Sequence, residues 1–226
     1  LTNTGNLFFQ GAISNNLVSS GSVLLNNNST ITVAASINGG LFNLNGKTYT
    51  NNLMVVSGTG ALTNAITGAT FNGGLSNSAT VAVTADTFFN GIVTNTGAML
   101  FQGALSNNLV SAGSVFLNNN ATITGTASIT AGGFDLNGKQ LTNNLMVISS
   151  GAFLTNSQSG ATLRGNLSLL NGTITGAAIN NNGSIGGTGT IAGSIVNSGT
   201  LVANTGTLTV TVAPTQVAPT AVVVTP

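Results

Sequence analysis

Apolar and polar side chains alternate in short runs along this chain. Leu7, Phe9, Gly11 and Ile13 are spaced by two, with Phe8, Gln10 and Ala12 between them. Val23 and Leu25 continue the alternation, as do Ile31 and Val33, Phe42 and Leu44, Leu53 and Val55, and Val81 and Val83. A period of two places one set of side chains on one face of a strand. Between the runs stand Asn-Asn, Asn-Gly and Gly-Gly, which tolerate the unusual backbone angles of tight corners. The pattern predicts short strands joined by corners.

The runs also repeat. Residues 9–28 return almost letter for letter as 101–120, and residues 1–76 align with 93–168 without a gap, with 49 of the 76 pairs identical. Loops ordinarily tolerate insertions, so this register points to stacking of like on like. Small residues ahead of apolar runs at Gly5, Gly21, Gly40, Gly60, Ala79 and Gly97 step by 16, 19, 20, 19 and 18, dividing a 92-residue unit into five segments. An antiparallel sandwich or barrel also uses short strands. The long repeat and the Asn-rich corners, which can stack as ladders, favour an all-β parallel β-helix (β-solenoid). The expectation is about 12 coils of 16–20 residues, stacked at about 4.8 Å into a rod on the order of 55 Å long. The strict six-residue beat of the left-handed form is missing, so a right-handed winding is expected. The solenoid is expected over 1–211, as unit 1–92, its second copy over 93–168, and a diverged remainder. All three prolines lie in 212–226, which reads as a Pro/Val/Thr-rich extended tail.

Composition narrows the picture further. Of 226 residues only Lys47, Asp86, Asp135, Lys139 and Arg164 are charged, against roughly 25% in an average globular protein. Polarity comes from Asn, Ser, Thr and Gly, poor formers of helix interiors. A net charge of +1 offers no electrostatic footprint for nucleic acid or anionic lipid, and no run of about 20 apolar residues could span a bilayer as a helix. Cys is absent, excluding disulfides and thiolate metal sites. Residues 1–5 already match 93–97, so the chain opens inside its own repeat; a processed product or a piece of a longer protein is expected.

Material for catalysis is scarce. There is no His or Cys, and Asp86 and Asp135 are the only carboxylates, 49 residues apart in different coils; acid–base or nucleophilic chemistry needs a tuned pair. No catalytic, cofactor or metal residue is expected. Lys47 and Lys139 occupy the same place in Leu-Asn-Gly-Lys, and a solubilising corner is favoured over a ligand contact. Asp135 replaces Asn43 and is placed to pair with Lys139, as an exposed pair worth about 0–1 kcal/mol. Calcium-binding solenoids place Asp in every coil, and Gly-Gly-Thr-Gly-Thr at 186–190 lacks the Lys of a phosphate loop. The Thr-x-Thr pairs 30/32, 122/124 and 173/175 suggest an ice-binding face, but the first two lie a whole unit apart.

The run 186–210, with Gly-Thr-Gly-Thr-Ile, Asn-Ser-Gly-Thr-Leu and Gly-Thr-Leu-Thr-Val, resembles the strand repeats of bacterial autotransporter passengers and filamentous-haemagglutinin-like adhesins. Asn3-Thr-Gly5, Asn95-Thr-Gly97 and Asn197-Ser-Gly199 fit the same style. The resemblance implies a secreted β-solenoid exposed on a bacterial surface and carries over no functional residue. The expected function is a non-enzymatic extracellular structural protein, a subunit of a surface fibre or sheath that assembles end to end with copies of itself. The alternative is an adhesin passenger or stalk that binds glycans or host surfaces; an ice-binding protein and a polysaccharide-active enzyme rank behind both. Because open coil ends expose unpaired backbone groups, Ala221, Val222, Val223, Val224 and Thr225 are a candidate self-assembly strand added to a neighbouring subunit. The other reading of the tail is a linker.

Overall fold

The computed structural model describes residues 1–217, apart from the Thr205 side chain, and the backbone of 222–224. It is an all-β solenoid in which every paired strand is parallel to its neighbours. The chain visits three faces in turn. Thr2–Asn3 lies on the first, called face A; Asn6–Ile13 supplies face B with its first half and face C with its second; Leu17–Ser19 returns to face A one level up.

Register on face A counts the windings. Thr2 pairs with Val18, then the column climbs through Ser36, Val55, Ser76 and Thr94, giving coils of 16, 18, 19, 21 and 18 residues. From Thr94 it passes through Val110, Ser128, Val147, Ser168 and Gly186, and the same five lengths recur. Coils of 16 and 21 residues then lead to Val202 and Val223. Twelve windings separate thirteen rungs, about 58 Å of rod at the usual strand spacing. Identity between the copies fades after Ser168, yet the coil lengths persist to Val202. The ladder also runs into the stretch read as a tail: Val196 pairs with Thr215 and Asn197 with Gln216.

The core follows from the two-residue period. On face A the inward column holds Leu17, Ala35, Met54, Leu75, Val93, Leu109, Ala127, Met146, Leu167, Ile185 and Leu201, all buried. Each is covered by its counterparts above and below, so a coil acquires a dry interior only as part of the stack. Through coils three to six the core also carries a string of rings: Phe42, Tyr49, Phe71, Phe89 and Phe101, with successive centroids 4.8, 5.4, 5.7 and 6.1 Å apart. Tilted and edge-on contacts at these distances are the favoured aromatic geometry.

Candidate interaction surface

The asparagines explain how a coil turns three corners without wasting backbone hydrogen bonds. At many corners the ladder slips, as between Ile31 and Ala34 or Ile123 and Thr126, and an unpaired buried amide would be costly. Side chains from the adjacent coil take up the loose groups. Asn16 Oδ1 accepts the Ala34 amide at 3.2 Å, and Asn108 Oδ1 accepts that of Thr126 at 2.9 Å. Asn28 Oδ1 does the same for Thr48, and Asn120 Oδ1 for Gln140. Asn45 (φ 51°) and Gly46 (φ 70°) make a left-handed turn, copied at Asn137 (φ 48°) and Gly138 (φ 71°). Asn45 Nδ2 donates to Leu25 O at 2.9 Å, and Asn137 Nδ2 to Leu117 O at 3.0 Å.

Stacked asparagines do occur, as short ladders. Asn77 Nδ2 donates to Asn95 Oδ1 at 2.7 Å, and Asn95 Nδ2 to Ser111 Oγ at 3.1 Å. Asn181 Nδ2 meets Asn197 Oδ1 at 2.7 Å, and Asn197 Nδ2 meets Gln216 Oε1 at 3.1 Å. Outside face C, Asn72 donates to Thr50, Asn90 to Asn72, and Ser106 to Asn90, a polar string along the rod. That string interrupts the threonine row begun by Thr30 and Thr50.

The charged residues stay apart. Lys47 and Lys139 follow the two left-handed turns, their amides closing back on Leu44 and Leu136, five coils from each other. Asp86 Oδ1 receives Gln102 Nε2 at 3.0 Å, and Gln102 in turn receives Asn118 Nδ2 at 2.8 Å. The Asp135–Lys139 pair expected from sequence does not form. Asp135 Oδ1 instead accepts the amides of Asn137 at 2.8 Å and Ser157 at 3.0 Å, because the turn folds those N–H groups onto it. Among the described residues, no three His, Cys, Asp or Glu side chains gather.

Outward positions differ sharply between faces when the two copies of the unit are laid on each other. The central outward row of face A, Thr2, Val18, Ser36, Val55 and Ser76, returns unchanged as Thr94, Val110, Ser128, Val147 and Ser168. On face C, Ala12, Thr30, Thr50 and Thr70 return unchanged, while Thr48 and Asn72 become Gln140 and Arg164. On face B only Ser22 and Thr63 are kept; Asn6, Phe8, Leu24, Leu41, Asn43 and Ala61 become Ala98, Leu100, Phe116, Gly133, Asp135 and Phe153. The residues that point inward from the same face B strands barely change: Phe9, Val23, Leu25, Phe42, Leu44, Leu62 and Asn64 all recur. Variation is thus concentrated on one outer surface. That surface is also apolar, with Phe8 65%, Leu41 49%, Phe153 40% and Phe116 38% exposed. Sequence reasoning missed it, since three faces can be told apart only once the lateral register is known.

The candidate self-assembly strand has a place within its own chain. Val222, Val223 and Val224 lie in register on Leu201, Val202 and Ala203 as the last rung of face A; Ala221 and Thr225 fall outside the described residues. No family model, curated protein or solved structure matches this chain.

Proposed function

We propose that this chain is a non-enzymatic structural β-solenoid, a rod segment of an extracellular fibre or sheath on a bacterial surface, with further copies of itself as its main partner. The observation that supports this best is the register itself. Thirteen rungs follow one another on face A, and tension along the axis falls on the hydrogen bonds of three faces at each level. The first described coil pairs on one side only, so its free edge suits another coil, either from the same polypeptide or from a second copy. With five charged residues in 226, like-charge repulsion opposes such stacking very little.

Electron microscopy of the purified chain across a concentration series tests this. Filaments lengthening in steps of one rod are expected. Single rods at every concentration would reject end-to-end assembly. A second reading, a stalk whose side binds a ligand, draws on the variation concentrated on face B.

A further inference from the structure

On face B of the second unit, a shallow depression is lined by Ser114, Phe116, Gly133, Asp135, Phe153 and Thr155. Phe116 and Asp135 are neighbours in register, as are Asp135 and Thr155; Gly133 stands beside Phe153. Two exposed rings and a carboxylate from three coils therefore line one depression. The matching patch in the first unit is Ser22, Leu24, Leu41, Asn43, Ala61 and Thr63, with no ring and no charge.

The exchange of Asn43 for Asp135 is the informative one. Asn43 Oδ1 accepts the Asn45 amide at 2.9 Å, making the same turn bond that Asp135 Oδ1 makes to Asn137. A neutral amide therefore suffices for the corner. Both hydrogen bonds to Asp135 fall on Oδ1. Among the described residues Oδ2 has no hydrogen-bond partner and no cation pairs with the carboxylate. The turn bond does not need the charge, which lines the same depression as two Phe rings. The exchange of Leu41 and Ala61 for Gly133 and Phe153 is compensating: a Cβ on Gly133 would run into the Phe153 ring.

We propose that this patch binds an arginine side chain of a partner polypeptide. A guanidinium is planar, stacks on aromatic faces, and presents forked donors to a carboxylate. Ser114 and Thr155 supply hydroxyl oxygens at the rim for its remaining N–H groups. A second apolar face of this same protein fits less well, because it would bury Asp135 against a surface with no cation. This site is independent of end-to-end stacking, so it stands or falls separately from the fibre reading.

The test is an NMR titration of the full chain with a short capped peptide carrying one arginine, and with its citrulline counterpart, which keeps the shape and loses the charge. Saturable shifts are expected at Phe116, Asp135 and Phe153 with the arginine peptide, at least tenfold weaker with citrulline. Asp135→Asn, and Phe153→Ala combined with Gly133→Leu, copy the first unit and so preserve the fold; each is expected to weaken binding, Asp135→Asn by tenfold or more. Equal binding of both peptides, undiminished binding to Asp135→Asn, or no saturable shift up to about 10 mM peptide would overturn the proposal. So would shifts produced only by a neutral oligosaccharide. Shifts that appear with protein concentration alone and vanish in Arg164→Gln would overturn it in favour of a second copy of this chain.

Discussion

Asn64 Oδ1 accepts the backbone N–H of Gly46 at 3.0 Å, tying one coil to the left-handed turn of the coil before it. Ninety-two residues on, Asn156 Oδ1 holds Gly138 in the same way at 2.8 Å. Asn64 Nδ2 also donates to Ile66 O at 2.8 Å and to Thr87 Oγ1 at 2.9 Å, so one buried amide serves three segments. Asn64→Ala leaves buried groups without partners and is expected to cost about 2–3 kcal/mol. Asn64→Asp keeps the shape but loses both donors and buries a charge, and is expected to cost more. The exposed Asn52→Ala is expected to stay within about 0.5 kcal/mol. Urea midpoints of the three variants check the order, and equal midpoints would contradict it.

Tyr49 shows the opposite condition. Its hydroxyl is buried without a hydrogen-bond partner, and burial pushes its pKa well above the ordinary tyrosine value. Its counterpart in the second unit is Leu141. Tyr49→Phe keeps the ring contacts with Phe42 and Phe71 and removes an unsatisfied polar group, so stability is expected to rise by about 1 kcal/mol. The pH dependence follows from linkage. Above about pH 10 the unfolded tyrosine loses its proton while the folded one keeps it. The wild type is therefore expected to lose stability as pH rises past that value, by more than Tyr49→Phe does. Parallel alkaline profiles for the two proteins would contradict this.

Gly165 adopts φ 128°, and a Cβ there would collide with the Asn143 carbonyl. Its counterpart Gly73, at φ 125°, lies against Asn51 in the same way. Gly165→Ala is expected to cost at least about 2 kcal/mol through strain and displaced backbone. Gly5→Ala, where a Cβ meets open space, is expected to be nearly neutral. Thermal unfolding followed by circular dichroism separates them; similar midpoints would show that the corner can relax.

Much of the fold was legible in the residues because stacking repeats the same physical demand at each level. Gly5, Gly21, Gly40, Gly60, Ala79 and Gly97 precede face B strands that lie in register, so their beat is the real winding along that edge. Face A counts 16 to 21 residues per coil instead, since bulges move residues from one side of a corner to the other. The roles of the asparagines were legible only as composition. Asn16 serves Ala34 and Asn64 serves Gly46, partners 18 residues away that no local pattern marks. The Asp135–Lys139 expectation failed for a related reason: sequence proximity ignores the backbone amides that a left-handed turn brings to a carboxylate. Face B could not be singled out at all, because its contrast with faces A and C depends on which side chains point outward.

The central claim is that residues 92 apart sit in one column, five rungs from each other. Val18, Val110 and Val202 all lie in the outward row of face A, and the absence of native cysteine allows spin labels to be placed there in pairs. Pulsed electron–electron resonance is expected to give about 24 Å between 18 and 110, about 24 Å between 110 and 202, and about 48 Å between 18 and 202, from five and ten strand spacings. Distances that do not add along a line, or an outer pair no farther apart than the inner ones, would contradict the stacked solenoid.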